Sequence, residues 1–140
     1  MVKDPKVETL KPDLVCIYPV DDEQKDYCFG IYDAKYYCID YQVKDNKAKI
    51  SGQPGVGDVT KQYLYQLAYR EFIKAHNIAV VKNCFLMPTE ENEIVKKGTA
   101  KMPMLEALGL ENIQIRLIPA KMLYECYLTQ RKINISLLEL

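Results

Sequence analysis

Residues 27–40 constrain the fold more than any other stretch of this sequence. They form an extended pattern, long enough for one strand or two, and both of its faces are apolar. One face carries Phe29, Ile31 and Ile39, and the other carries Cys28, Tyr32 and Cys38. Strands of this kind lie in the middle of a sheet that is covered on both sides. Asp33 and Lys35 interrupt the pattern, and buried charges are costly unless they have partners.

Strand and helix patterns alternate along the rest of the chain. Strands are predicted over residues 14–20, 78–87, 94–102 and 113–118, with Pro88 ending the second of these. Residues 104–108 predict a short helical turn closed by Gly109. With the helices described next, the predicted order is β-β-α-β-β-(turn)-β-α. That order predicts an α/β domain with a mixed sheet.

Two helices are predicted. A polar, glycine-rich link over residues 42–57 leads to the first, which begins at an N-cap, Asp58 or Thr60, and runs to about His76. Its predicted buried stripe, at helical spacing, consists of Leu64, Leu67, Ala68 and Phe72. The second helix is predicted to open with Pro119 at its first position and to run to about Arg131.

Length and composition place the chain in a broad class. Its 140 residues suit one domain, residues 1–140, and a hydrophobic content of 49% is enough for a core. The formal net charge is zero, which excludes a polybasic nucleic-acid coat but leaves room for a local basic groove. No apolar stretch is long enough to span a membrane and residues 1–10 do not form a signal peptide, so we expect a cytoplasmic protein.

Asp13, Asp33 and Lys35 are the candidate catalytic residues. Asp33 and Lys35 project from the same face of one strand, about 6–7 Å apart, and a hairpin with the preceding strand brings Asp13 beside them. Two converging carboxylates make a hard-oxygen site suited to Mg²⁺. A lysine beside that ion can orient or help to deprotonate a water molecule. The pattern predicts metal-assisted hydrolysis of a phosphodiester.

The register between the first two strands decides whether this site forms. A turn of six residues, 21–26, puts Asp13 opposite Ala34 and on the wrong face. The site therefore requires Asp13 to pair with Asp33 or with Lys35, through an odd loop or a bulge. The alternatives are a turn carboxylate after Pro12 and an ion pair between Asp33 and Lys35 at a sheet edge.

Several of these motifs resemble known nuclease families. Pro12-Asp13 followed by Asp33-Ala34-Lys35 resembles the PD-(D/E)xK nuclease superfamily. The string over residues 32–37, YDAKYY, is similar to the nuclease subunit of McrBC-type restriction systems. Residues 54–69, PGVGDVTKQYLYQLAY, resemble the LlaJI family of restriction endonucleases, and residues 83–88 fit the strand that follows there. The resemblance covers residues 11–128.

The resemblance implies a restriction-endonuclease-like mixed β-sheet flanked by helices. LlaJI-type proteins are longer at the N-terminus, so the chain is expected to be N-terminally incomplete, the C-terminal portion of a larger nuclease. Asp13, Asp33 and the carbonyl of Ala34 are then the expected ligands of Mg²⁺, and Lys35 is the catalytic lysine.

The resemblance also assigns a role to the predicted helix over residues 58–76. Gln62, Gln66 and Tyr69 step by four and three residues, so they share one face. In the superfamily a glutamine and a tyrosine on this helix line the cleft, although their usual gap is four residues and the gap from Gln66 to Tyr69 is three. We therefore expect these residues to bind substrate, with at least one glutamine beside Asp33 and Lys35.

The function predicted from these features is that of a Mg²⁺-dependent endonuclease domain of a restriction system acting on DNA. The resemblance implies a second subunit, in some systems a GTPase like McrB. The main alternative is a truncated, inactive remnant that binds a partner at most; a nuclease-fold enzyme of repair or of RNA is a third. Lys44, Lys47 and Lys49 are expected in a solvated loop, with a loop that flanks DNA as the alternative.

Overall fold

The computed structural model of the protein describes residues 11–37 and 39–140. Its strands are β1 (Leu14–Pro19), β2 (Tyr27–Ala34), β3 (Asp40–Lys44), β4 (Lys47–Ser51), β5 (Val80–Thr89), β6 (Val95–Ala100) and β7 (Ile113–Pro119). Its helices are α1 (Val56–Ala75) and α2 (Ala120–Thr129), with 3₁₀ turns at Pro103–Leu108 and Ile135–Leu138. The predicted α/β class is confirmed. In the described ranges, no helix combines the length and the apolar character needed to cross a membrane.

Five strands form one mixed sheet in the order β1-β2-β5-β7-β6. The inner strands β2, β5 and β7 run parallel, while β1 and β6 pair antiparallel to their neighbours at the two edges. Helix α1 makes the crossover between β2 and β5, as a parallel pair requires. Residues 28–32 of β2 are buried on both faces, as the two-sided apolar pattern predicts. Cys38 and residues 1–10 lie outside the described residues.

Each face of this sheet is covered by a different part of the chain. Helix α1 covers one face, where its Val59 and Tyr63 pack with side chains of β5 and β7 such as Phe85 and Ile115. The C-terminal turn covers the other face, where Leu138 packs with a cluster that contains Tyr32, Cys84 and Ile118. Side chains of β2 alternate between the two faces of the sheet. Asp33 therefore projects toward α1, while the residues before and after it in the strand project toward the other face.

Helix α1 corrects two predictions. It begins at Val56, with Gly55 as its N-cap, so neither Asp58 nor Thr60 caps it. The residues it buries are Val59, Gln62, Tyr63, Tyr65 and Gln66, whereas Leu64, Ala68 and Phe72 of the predicted apolar stripe are exposed and Leu67 is half-buried. Asn83 and the backbone of Glu111 offer hydrogen bonds to the two glutamines, so the polar face of the helix fits the sheet.

The predicted polar link over residues 42–57 is partly a β-hairpin. Strands β3 and β4 pair antiparallel from Asp40↔Ser51 to Lys44↔Lys47. Their two-residue turn, Asp45-Asn46, has positive φ values of 52° and 56°, which short polar side chains tolerate. Such a turn matches the twist of a tight hairpin. The prediction of a link is wrong here, because polar and apolar residues alternate on either side of the turn, a pattern typical of a hairpin.

Two proline boundaries also differ from expectation. Pro88 does not end β5, which continues to Thr89 alongside β7. Pro119 is the N-cap of α2, with φ −53° and ψ 123°, and the helix begins one residue later. The predicted turn closed by Gly109 is confirmed, since Gly109 has φ 63° after the 3₁₀ turn Pro103–Leu108.

Candidate active site

The loop between β1 and β2 sets the position of Asp13. Pro19 pairs with Tyr27 and Leu14 with Tyr32, so residues 20–26 form a loop of seven residues. One further step in this register places Asp13 opposite Asp33, which is one of the two pairings that the site requires. The backbone N–H of Ala34 donates to Oδ2 of Asp13 at 2.8 Å and holds that carboxylate at the end of the strand.

Lys35 and Asp33 are held at the carboxyl end of β2. Asp33 lies opposite Phe85 in the parallel pair with β5, and the N–H of Lys35 continues the ladder by donating to the carbonyl of Leu86 at 2.8 Å. The Nζ atom of Lys35 lies 2.6 Å from Oδ2 of Asp33. The two side chains are only 16% and 13% exposed, so this ion pair is screened by water far less than a surface pair.

Asp58 is a second acidic partner of Lys35. Its Oδ1 lies 2.8 Å from Nζ of Lys35, and its Oδ2 accepts a hydrogen bond of 2.8 Å from the hydroxyl of Tyr37. The same Nζ lies 5.6 Å from the centroid of the Phe85 ring, within the range of a cation–π contact. Lys35 is therefore fixed by the end of β2, the first turn of α1 and the middle of β5.

Two residues of the site, Asp58 and Tyr37, are not among those that the sequence predicts. The sequence predicts Asp58 only as a possible helix cap, but it lies in the first turn of α1 and both of its oxygens face side chains that follow β2. The available signal was its position one helical turn before Gln62, within the stretch that resembles LlaJI nucleases. Tyr65 was also missed: its hydroxyl donates to the carbonyl of Lys11 at 2.9 Å.

The carboxyl groups of the site differ in their electrostatic environment. Burial raises the pKa of Asp33, and the neighbouring Asp13 adds to that rise against the lowering effect of Lys35. The hydrogen bond from Lys35 instead lowers the pKa of Asp58, against the effect of burial and with help from Tyr37. Burial by itself lowers the pKa of Lys35, but its contacts with Asp33 and Asp58 outweigh this and raise the pKa.

The predicted substrate-binding residues on α1 are turned toward the sheet. The amide Nε2 of Gln62 donates to Oδ1 of Asn83 at 2.7 Å, and Gln62 is fully buried. Gln66 exchanges two hydrogen bonds with the backbone of Glu111, at 2.8 and 2.9 Å. Tyr69 packs on Phe29, with ring centroids 5.0 Å apart. Such contacts are what a buried amide needs, because it must find its hydrogen-bond partners within the protein.

Gln62 is the member of this face that lies nearest to the catalytic candidates. It follows Asp58 by one helical turn, while Gln66 and Tyr69 lie further along α1, toward the amino ends of the parallel strands. Its Oε1 atom is buried and accepts no hydrogen bond from the described residues. Binding of substrate by Gln62, Gln66 and Tyr69 stays a prediction.

Comparison with known proteins shows the family to which the chain belongs. A family model for the LlaJI restriction endonucleases matches residues 1–121. The chain belongs to the LlaJI restriction endonuclease family. Its architecture is consistent with the restriction-endonuclease-like fold that the sequence predicts.

One relative of this LlaJI-family chain is the type II restriction enzyme BsuMI component YdjA of Bacillus subtilis (strain 168). The two are 31% identical over 124 residues, which is 89% of the present chain but 24% of the relative. The LlaJI-family chain thus spans about a quarter of the length of this curated relative. No solved structure matches it significantly.

The two carboxylates of the candidate site are hard-oxygen donors, the kind that a divalent cation such as Mg²⁺ prefers. Asp13 and Asp33 place two carboxylates together, and the raised pKa of Asp33 reflects a negative charge that burial and Asp13 disfavour. A bound cation relieves that repulsion. In residues 11–37 and 39–140, however, no group of three or more His, Cys, Asp or Glu side chains is arranged to hold a metal. Metal binding by Asp13, Asp33 and the Ala34 carbonyl stays a prediction.

Proposed function

We propose that this LlaJI-family chain is the catalytic domain of a Mg²⁺-dependent endonuclease that hydrolyses DNA phosphodiester bonds in a restriction system. The observation that carries the proposal is the convergence of Asp13, Asp33 and Lys35 at the carboxyl end of β2. Membership of the family supports it, and the relative in Bacillus subtilis is named as a restriction enzyme component. The order Pro-Asp, then Asp-x-Lys, also resembles PD-(D/E)xK nucleases, and residues 32–37 resemble the nuclease subunit of McrBC-type systems.

Asp13, Asp33 and the carbonyl of Ala34 would hold the metal ion. When bound, Mg²⁺ would stabilise negative charge on the phosphoryl oxygens and make the attacking water more acidic. Asp33 is well suited to this role because it lies at the end of a buried strand and is only 13% exposed, so its position is fixed before the ion binds. The Ala34 N–H fixes Asp13 in the same way.

Lys35 would act on the phosphate or on the attacking water. An ammonium has three donors. Asp33 and Asp58 account for two of them at 2.6 and 2.8 Å, which leaves the third to donate to a substrate oxygen. Asp58 would act as a positioning residue, because it keeps the ammonium in place when Asp33 shares its charge with the metal. Tyr37 in turn orients Asp58.

A second subunit belongs to this proposal. The relative is described as a component, which supports an enzyme assembled from more than one chain. The resemblance to McrBC-type systems supports a partner such as an McrB-like GTPase. The competing function is that of an inactive module that binds DNA or a partner without cutting. The observation in its favour is that, among the described residues, the acidic side chains do not form a group of three.

Substitution of the site residues separates these functions. Asp33→Ala should abolish both Mn²⁺ or Mg²⁺ binding, measured by calorimetric titration, and the nicking of plasmid DNA. Lys35→Ala should leave metal binding within about twofold of wild type and lower the nicking rate by about 10²–10³-fold, the effect of removing one preorganised donor. Each protein is assayed alone and with its partner subunit.

Asp22→Asn is the matched control for this experiment. Asp22 is an exposed carboxylate in the loop at the opposite end of β1, so its loss changes the net charge by the same amount as Asp33→Ala without touching the site. The nuclease proposal is wrong if the wild-type protein, supplied with its partner, neither binds metal nor nicks DNA. It is also wrong if Asp33→Ala cuts as fast as wild type.

A further inference from the structure

The β3–β4 hairpin stands apart from the five-stranded sheet. Its two strands pair with each other as a separate two-stranded sheet, and all ten of their residues are exposed. A hairpin of two strands is only marginally stable in water by itself. An element of this kind, with no core of its own, is typical of a surface that acts by contacting another molecule.

The two faces of the hairpin differ in chemistry. The cross-strand register places Tyr41 opposite Ile50 and Val43 opposite Ala48 on an apolar face. The other face has the pairs Gln42↔Lys49 and Lys44↔Lys47, and we call it the lysine face. Its one carboxylate, Asp40, accepts a hydrogen bond from Gln42 at 2.8 Å.

The lysine face carries an unneutralised positive charge. None of Lys44, Lys47 and Lys49 forms an ion pair with a residue in the described ranges. Lys44 and Lys47 lie directly opposite each other, and like charges in that position destabilise a hairpin. A polyanion placed across the face removes this repulsion, so the arrangement favours an anionic ligand.

The hairpin lies, along the chain, between two segments that form the candidate active site. The chain leaves the site after Lys35 and Tyr37, forms the hairpin, and returns to the site at Asp58. Lys35 and Asp58, on either side of the hairpin, are ion-paired at 2.8 Å, so its base is anchored there. Four residue steps of about 3.3 Å place Lys44 about 13 Å from the start of β3, which follows Tyr37 of the site by three residues.

We propose that the lysine face of the β3–β4 hairpin binds the phosphate backbone of duplex DNA beside the bond that the site would cut. The inference rests on the proposed function and names the element that holds its substrate. A two-stranded ribbon is narrow enough to lie along the major groove. Closely spaced phosphates give duplex DNA the charge density that three unpaired lysines complement. A protein partner would instead use the apolar face of Tyr41, Val43 and Ile50.

The dependence of DNA affinity on salt tests this inference without any cleavage. Duplex binding by the full chain is measured by fluorescence anisotropy in EDTA over a series of salt concentrations. Each lysine–phosphate contact contributes about 0.9 to the slope of log affinity against log salt. The slope is negative, and the variant K44Q/K47Q/K49Q should therefore reduce its magnitude by about 3 relative to wild type.

Two control variants make the result specific. K25Q/K74Q/K101Q removes the same charge near the amino ends of the parallel strands, away from the candidate site, and should keep the wild-type slope. Y41T/I50T alters the apolar face and should also keep it. The inference is overturned if K44Q/K47Q/K49Q binds with the wild-type slope, if the lysine control loses as much, or if wild type binds no duplex DNA. Loss of affinity in Y41T/I50T alone would also overturn it, because the apolar face and not the lysine face would then contact the DNA.

The salt dependence of DNA binding tests the hairpin surface, whereas metal binding and nicking test the proposed nuclease function, so failure of one can be told from failure of the other. A reduced slope in K44Q/K47Q/K49Q, in a chain whose wild type binds no metal and cuts no DNA, would support the hairpin surface and contradict the nuclease. Metal-dependent nicking by wild type, with an unchanged slope in the variant, would support the nuclease and contradict the hairpin surface.

Discussion

Lys35 shows how a single charged residue becomes tolerable in a buried strand end. Its ammonium has two carboxylate partners, Asp33 and Asp58, and lies near the ring of Phe85. The two carboxylates differ, because burial raises the pKa of Asp33 while the hydrogen bond from Lys35 lowers the pKa of Asp58. The charge of Asp58 thus stabilises the folded protein, whereas the folded protein disfavours the charged form of Asp33.

The contribution of Asp58 should depend on pH. Because its pKa is lower in the folded protein than its ordinary value of 3.8, its stabilisation is present above about pH 4 and is lost as the pH falls through the lowered pKa. Asp58→Asn should reduce the free energy of unfolding by about 1 kcal/mol at pH 7. The difference from wild type should shrink toward zero near pH 2, as measured by urea unfolding at both pH values.

Asp22→Asn serves again as the control, since this exposed carboxylate has no described ion pair and should change the stability at neither pH. A difference between wild type and Asp58→Asn that stayed constant or grew toward low pH would contradict the assigned role of the Asp58 charge.

At the scale of elements, helix α1 is joined to the sheet by polar contacts within an apolar interface. Gln62 bonds to Asn83 of β5, and Gln66 bonds to the backbone before β7. These bonds fix the rotation of the helix about its axis, because a turn in either direction would leave buried amides without partners. The same rotation brings Asp58 to Lys35. The helix therefore links sheet packing to the geometry of the site.

Substitution of these two glutamines should lower the free energy of unfolding by more than it changes the free energy of DNA binding. Gln62→Leu leaves the amide of Asn83 without its side-chain partner and should cost about 1–3 kcal/mol of unfolding free energy. Gln66→Leu should cost a similar amount, because it leaves the N–H and carbonyl of Glu111 unpaired. Leu64→Gln, on the exposed face of the same helix, should stay within about 0.5 kcal/mol of wild type.

Urea unfolding measures these three variants, and DNA anisotropy is recorded for each in parallel. If the two glutamine variants kept the wild-type stability but lost DNA affinity, the glutamines would be substrate-binding residues, as the resemblance to the nuclease superfamily implies.

At the scale of the whole molecule, the C-terminal turn closes the face of the sheet opposite to α1. Leu138 is 4% exposed and packs with Tyr32 and Ile118. The buried Arg116 of β7 donates from Nε to the carbonyl of Leu138 at 2.7 Å and from its guanidinium to the carbonyl of Glu139 at 3.1 Å. The turn thus shields both the apolar face and a buried guanidinium.

The adjacent leucines of this turn provide a matched pair of substitutions. Leu138→Ala should lower the free energy of unfolding by about 2–4 kcal/mol, because it opens a cavity beside Tyr32 and Ile118. Leu137→Ala, at a position that is 52% exposed, should lower it by less than about 1 kcal/mol. Thermal unfolding of the two variants should show this order. Equal melting temperatures would mean that the turn does not cover the sheet.

Local sequence patterns determined much of this architecture. The five main strands, the crossover helix, the mixed sheet and the turn at Gly109 all follow from local apolar spacing and turn residues. The common face of Asp33 and Lys35 follows from the strand period of two. The sequence left open whether Asp13 pairs with Asp33 or with Lys35, because that depends on how a seven-residue loop closes.

Tertiary contacts decided the rest. The apolar spacing on α1 indicated the side with Leu64, Ala68 and Phe72, but the helix buries Gln62 and Gln66, whose amides find partners on β5 and before β7. Asp58 entered the site for the same reason, since no local pattern records which lysine a carboxylate will meet. Local periodicity is set by the backbone of one segment, whereas the buried face of a helix and the partners of a charge are set by the surface it meets.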